Sequence, residues 1–150
     1  MKKILVLVLS FLFVIQTLQA QEEKEVEKVI ASMFEGMKNK DPEMVKMSFH
    51  PEASMQTVIA GESGARLGSN SVADFINRIA ATPVGTTLDE RILEYQIKID
   101  GQMASAWTIY EFYVNDSFSH CGVNSFQLIN TPEGWKITYV IDTRRKDGCK

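Results

Sequence analysis

From Gly101 to Arg145 the chain alternates apolar and polar residues in three consecutive runs, residues 103–114, 118–130 and 135–143, with turn-forming residues between them. Period-two alternation over such lengths marks half-buried strands, and short connections between them make an antiparallel meander. A fourth run, residues 90–99, precedes these three. The faces of the strands follow from the turns. Thr131-Pro132-Glu133-Gly134 sets Asn130 opposite Trp135. Counting back puts Leu128 opposite Ile137, Phe126 opposite Tyr139, Asn124 opposite Ile141 and His120 opposite Arg145. One face then carries Trp135, Ile137, Tyr139, Ile141, Phe126 and Leu128 and must be covered. The other carries Lys136, Thr138, Asp142, Arg144, Ser125 and Gln127, together with Val123 and Val140. A slip of one residue would bury the polar set, so the alternation itself argues for this register.

A two-residue turn at Asn115-Asp116 sets Glu111 opposite His120, Trp107 opposite Asn124 and Ser105 opposite Phe126. A four-residue turn would keep those faces and move Glu111 opposite Gly122, whereas a three-residue loop would exchange them. For the preceding hairpin, a two-residue Asp100-Gly101 turn would bury Lys98 and Gln96. A type I turn with a glycine bulge at Gly101 instead covers Ile97, Tyr95 and Leu93, and is the arrangement expected.

The first half of the chain reads as helical. Val26, Val29, Ile30, Met33, Phe34 and Met37 recur at i, i+3, i+4, i+7 spacing, predicting an amphipathic helix over residues 22–39. Asp41-Pro42 supplies an N-cap followed by proline at the first helical position, and starts a short second helix that ends before Pro51. Residues 55–60 make a short strand, and residues 61–68, with three glycines, a loop or hairpin tip. Ser71 caps a third helix with Val72, Phe75, Ile76 and Ile79 on one face. Asp74 and Arg78 stand at i, i+4, the spacing of a solvated ion pair. Helices followed by a long meander give an α+β domain with the helices on one face of the sheet.

Lys2 and Lys3, the apolar run of residues 4–15 and a polar stretch containing Ala20 have the layout of a secretory signal peptide. About a dozen apolar residues fall short of the roughly 20 that a spanning helix requires. Cleavage after Ala20 would leave 130 residues as a single domain, residues 21–150, and shift the formal charge from −3 to −5. An acidic chain without basic clusters has no electrostatic footprint for nucleic acid, and anionic membrane surfaces would repel it. Export would take Cys121 and Cys149 into an oxidising compartment, secreted or periplasmic, where a disulfide is allowed; two unpaired thiols are the alternative.

The order of helix, short helix after Asp-Pro, strand, helix and long meander, with Phe49-His50-Pro51-Glu52-Ala53 and Gly134-Trp135-Lys136-Ile137, resembles the nuclear transport factor 2-like superfamily. Secreted bacterial members of its SnoaL-like and putative lumazine-binding branch are the most similar. The resemblance spans residues 24–145. It implies a cone-shaped fold, three N-terminal helices packed on a curved antiparallel sheet, with a pocket between them. It also implies frequent homodimerisation through the outer sheet face. Relatives include isomerases, dehydratases, hydrolases and binding modules, so the fold leaves the chemistry open. Of the ketosteroid isomerase arrangement, only Glu111 and Tyr139 offer counterparts.

In the expected register Glu111 and His120 are cross-strand neighbours on the covered face, placed to act as a general base or to orient a polar ligand; a purely structural pair is the alternative. Trp107, Phe126 and Tyr139 supply aromatic surface, either as core or as a ligand platform. Asn124 supplies an amide that needs partners if buried, and His50 a cap or a rim position. Asp142 and Arg144 are expected on the outer face, as a salt bridge or dimer contact. Two histidines without Cys/His spacing give no metal motif, and there is neither a phosphate loop nor a nucleophile elbow. No cofactor is expected. The sequence therefore points to a protein that binds a small apolar or aromatic organic molecule. The alternatives are an isomerase, dehydratase or hydrolase using His120 or Glu111 as base, or an interaction protein working through its outer sheet face.

Overall fold

The structure is a computed structural model that describes the backbone of residues 2–149 and the side chains of residues 20–149. Helix α1 spans Lys2–Asn39, so the expected helix over residues 22–39 forms its C-terminal part. Val26, Ile30, Met33, Phe34 and Met37 are buried, as their spacing requires. The expected signal peptide, residues 1–20, lies outside the described side chains except for Ala20. Among the described residues no helix is long and apolar enough to cross a membrane. Helix α1 stops at Lys40, whose φ of 57° turns the chain, while the Asp41 N–H bonds back to the Gly36 carbonyl at 2.8 Å. Helix α2, Pro42–Ser48, follows at once, capped by the Asp41 carboxylate, which accepts from the Met44 N–H at 3.0 Å.

Strands β1 (Phe49–Ile59) and β2 (Arg66–Ser71) come next. Strand β2 occupies part of the segment expected to be a loop: it is mostly exposed and polar, with no alternation to betray it. Helix α3, Val72–Ala80, starts where Ser71 Oγ accepts from the Asp74 N–H at 2.9 Å. Strands β3 (Leu88–Asp100), β4 (Met103–Val114), β5 (Ser117–Thr131) and β6 (Gly134–Arg145) complete one six-stranded sheet of order β2-β1-β6-β5-β4-β3. All neighbours are antiparallel except β1 and β6, which run parallel, so the sheet is mixed where a purely antiparallel one was expected.

The turns fall close to the expected places. Asn130 pairs with Trp135, Leu128 with Ile137 and Val114 with Ser117. Strands β3 and β4 join through a two-residue Gly101-Gln102 turn between the paired Asp100 and Met103, not the expected type I turn with a bulge at Gly101, because Gly101 supplies its φ of 58° at the first turn position. Three bulges then change the faces. Thr138 is an extra residue in β6, so Phe126 pairs with Val140 and not Tyr139, Asn124 with Asp142 and not Ile141, and Cys121, not His120, with Arg145. Ser119 is an extra residue in β5, so His120 pairs with Phe112, Glu111 with Cys121, Trp107 with Ser125 and Phe126 with Ala106. Leu93 is an extra residue in β3 and is exposed, although Tyr95 and Ile97 are covered as expected. Each bulge inserts one residue, and with a side-chain period of two one residue reverses every later side chain.

The concave face therefore carries Ala104, Ala106, Phe126, Leu128, Ile137 and Val140 against the apolar stripe of α1. Phe34 meets Phe126 edge-on at 6.2 Å between ring centres. Gly122 sits between Tyr110 and Arg144 in the ladder. A Cβ there would fall on the Thr143 carbonyl oxygen and 2.8 Å from the Tyr110 ring. The bare backbone lets Tyr110 cross it and donate its hydroxyl to that carbonyl at 3.0 Å. Cys121 and Cys149 form a disulfide across 28 residues, fastening the chain that follows β6 to β5.

Two stability measurements test this framework. Gly122→Ala should destabilise by about 3 kcal/mol, the upper end for overpacking, because the obstruction is backbone; an unchanged urea midpoint would contradict the close approach. Cys149→Ser should cost about 3.5 kcal/mol in the loop-entropy description, and reducing agent should lower the wild-type midpoint to that of the variant.

Candidate functional site

The curvature leaves a cavity of about 440 Å³ between the concave face, α1 and α3. Met33, Phe34 and Met37 of α1, Phe75 and Ile79 of α3 and Phe126 and Val140 of the sheet form its apolar wall. On the sheet side the apolar lining gives way to Glu90, His120, Asn124, Asp142 and Arg144. These five come from β3, β5 and β6: His120 and Asn124 face inward by alternation with Phe126, and the bulges at Leu93 and Thr138 turn Glu90, Asp142 and Arg144 to join them.

Asn124 is the hub. Its side-chain amide donates to Glu90 Oε1 at 2.7 Å and makes a longer bond to Thr108 Oγ1 at 3.4 Å. Burial strips water from the Glu90 carboxylate and pushes its pKa up to about 8; the Asn124 hydrogen bond opposes the rise and the negative charge of Asp142 adds to it. Near neutral pH Glu90 is therefore mostly a carboxylic acid, with one O–H to donate. Asp142 accepts from Arg144 Nε at 2.7 Å, and this ion pair stands directly across the ladder from Asn124.

His120 lies against Phe112 at 5.0 Å and edge-on to Tyr110 at 5.8 Å, with Nδ1 3.1 Å from Ser119 Oγ. Burial lowers its pKa, the Arg144 charge lowers it further, and Asp142 pulls the other way, so the imidazole is held neutral. Tyr110 is pushed far above its ordinary value, chiefly by burial, and serves as wall and structural hydrogen bond. Acid and base character are thus separated within one cavity, a carboxyl that holds its proton and an imidazole that sheds it. Among the described residues no group of three His, Cys, Asp or Glu is placed to hold a metal ion.

Of the residues expected at the site, the structure brings together His120, Asn124 and Phe126. Glu111 is on the convex face, where its Oε2 accepts from the Tyr113 hydroxyl at 2.8 Å, so it forms no pair with His120. Trp107 is on the same convex face and 49% exposed. Tyr139 also faces away from the cavity and donates its hydroxyl to Gln56 at 2.5 Å. His50 accepts from the Glu52 N–H at 3.2 Å and borders a separate open groove between α2 and α3. Asp142 and Arg144 form the expected salt bridge but point into the cavity, because Thr138 reverses their strand. Glu90 and Tyr110 were missed. The available signal was a carboxylate two residues before Ile92, in line with apolar neighbours once Leu93 is counted as a bulge.

The family described as "Putative lumazine-binding" matches residues 21–139. No curated protein matches the chain. Among solved structures, an NTF2-like protein of unknown function from Shewanella baltica is 16% identical with a TM-score of 0.62, covering 85% of this chain and 97% of its own. A superfamily protein from Salmonella enterica is 20% identical with a TM-score of 0.65, covering 87% and 96%. A Streptomyces avermitilis protein titled a "putative dehydratase" of the NTF2-like family is 14% identical with a TM-score of 0.63, covering 81% and 94%. These likenesses establish an NTF2-like fold, and the match over residues 21–139 shows that the chain belongs to the family described as "Putative lumazine-binding".

Proposed function

We propose that this is an exported single-domain protein that binds a small, mostly apolar or aromatic organic molecule in the cavity beneath α1 and α3. The observation that carries this reading is the polar cluster of Glu90, Asn124, His120, Asp142 and Arg144 facing an apolar wall of Met33, Phe34, Met37, Phe75, Ile79 and Phe126 across a cavity of about 440 Å³. Volumes of roughly 300–1,000 Å³, apolar walls and a few convergent polar groups are what small-molecule sites have in common. The family description supports lumazine, a planar bicyclic heterocycle with carbonyl and N–H edges, as the first compound to try. Protonated Glu90 would donate to a ligand carbonyl while neutral His120 would accept or donate a single proton.

Export is supported by the leader-like residues 1–20, by the family match beginning at residue 21, and by the disulfide, a bond that persists in oxidising compartments. A homodimer through the outer sheet face, with half-exposed Trp107 upon it, belongs to the same reading.

A second reading has a specific observation behind it. A proton-holding Glu90 and a proton-shedding His120 in one cavity form an acid–base couple of the kind used for dehydration or isomerisation. A bell-shaped pH–rate profile lost in both Glu90→Gln and His120→Gln would favour the enzyme. A lost profile in Glu111→Gln would contradict it.

Ligand at a hundredfold excess over Kd should stabilise the protein by about 2.7 kcal/mol. Leu88→Trp, which fills the cavity, should abolish that gain, and Asn124→Leu should weaken binding about tenfold by removing the donor to Glu90. Undiminished binding by Leu88→Trp would place the ligand elsewhere.

The raised Glu90 pKa also fixes a pH dependence. The folded state holds a proton that the unfolded state releases near 4.5, so this contribution to stability is complete below 4.5 and is lost as pH rises towards about 8. His120 acts in the opposite sense, withdrawing stability as pH falls below its ordinary value of 6.5. Urea midpoints of the wild type should therefore decline between pH 6.5 and 8.5, and Glu90→Gln should flatten that decline. A decline unchanged in Glu90→Gln would assign it to another group.

A further inference from the structure

The spacing of Asp74 and Arg78 predicts a solvated pair on α3, yet the structure has no such pair. Asp74 takes part in the Ser71 cap through its N–H, and Arg78 lines the cavity. Among the described residues the ion pairs join Lys38, Lys46, Arg91, Lys136 and Arg144 to carboxylates, and Arg78 to none. Its side chain is exposed at the edge of an apolar hollow. Arg144, also part of the lining, commits Nε to Asp142 and, among the described residues, leaves its terminal nitrogens without a protein acceptor. A guanidinium offers five donors in a fixed fork, so one bond to a carboxylate does not exhaust it.

The two carboxyl groups in the wall do not balance this supply. Asp142 is taken by Arg144, and Glu90 by Asn124. With Glu90 largely protonated and His120 neutral, the lining carries one net positive charge, in a chain whose formal charge is −3. Against the net negative charge of the chain, this mouth favours an anion.

We propose that the ligand is an organic acid, an apolar or aromatic body lying against Phe34, Phe75 and Phe126 with its carboxylate at the mouth, held by Arg78 of α3 and the free edge of Arg144. The proposal rests on the binding reading above and narrows it from apolar molecules in general to amphipathic anions. Arg78 is the selective element because its charge is unspent in the empty protein. Arg144 completes the clamp from the opposite wall, with Asp142 fixing its plane. A neutral ligand of the same shape would fill the hollow equally and leave Arg78 in water.

The test uses matched pairs that differ only in charge: 2-naphthoate and 2-naphthamide, indole-3-acetate and indole-3-acetamide, octanoate and octanamide, titrated calorimetrically at pH 7 into the full chain. The acids should bind at least about tenfold more tightly than their amides, the scale of a charge-assisted bidentate contact. Arg78→Gln should cut that preference severalfold, to what Arg144 alone supplies, while changing amide affinity by no more than roughly twofold, and Arg78→Glu should reverse it. Both variants alter an exposed side chain and should keep the wild-type melting temperature. Amides that match their acids, or an acid preference undiminished in Arg78→Gln, would overturn the anion clamp and leave the cavity-binding reading intact. Failure of every acid and every amide to bind would overturn both.

Discussion

The cavity depends on one extra residue in each of three strands. If Thr138 were paired in β6 instead of bulged out, the strictly alternating ladder would direct Tyr139 and Ile141 into the hollow and Asp142 and Arg144 away from it; if Ser119 were paired in β5, Glu111 and not Phe112 would stand opposite His120. If Leu93 were paired in the ladder instead of bulged out of it, Glu90 would face out. A bulge also bends its strand and increases the local twist, so the same insertions that turn these side chains inward curve the sheet away from α1 and make room for a ligand. Curvature and polarity of the site thus have a common origin.

Gly122 complements this. The polar cluster needs Tyr110 and Arg144 on either side of β5 at a point where any Cβ would strike the Thr143 carbonyl. A glycine there lets the Tyr110 ring lie across the strand, and the disulfide at the adjacent Cys121 secures the end of β6 beside it. Rigid elements therefore position His120 and Arg144 at the end of a sheet where strands would otherwise fray.

Much of the fold was legible from periodicity. The amphipathic stripe of α1, the Asp41 and Ser71 caps and the β4–β5 and β5–β6 turns rest on local chemistry, and local chemistry decided them; the β3–β4 turn was misplaced by the expectation of a bulge at Gly101. The faces beyond the turns were not legible, because a bulge leaves almost no trace in a sequence. Thr138 and Ser119 are ordinary strand residues whose only peculiarity is that the ladder skips them. The alternation of Tyr139 and Ile141 misled for a related reason: both are half-buried on the convex side of β6, so a hydrophobic parity exists on both sides of that strand. Asn124 and Phe126 keep the inward face because they lie on the same side of both bulges, whereas Glu111 and Trp107 lie beyond Ser119 and are reversed. Strand β2 escaped notice because an exposed edge strand needs no apolar face.

The charge arrangement explains why these polar groups can be tolerated in a hollow at all. Glu90 avoids the cost of a buried anion by keeping its proton, and Asp142 avoids it by pairing with Arg144. His120 avoids it by staying neutral between two aromatic rings. Each solution spends an internal partner or a proton, so the empty cavity is electrically quiet on its sheet side and its polarity is that of hydrogen bonds. Arg78 stands apart because α3 offers it water instead of a partner, and water is what an incoming ligand displaces. Selectivity by charge would then reside on the helix, and orientation by hydrogen bonding on the sheet. The two walls meet at the mouth, where Arg144 of the sheet faces Arg78 of α3.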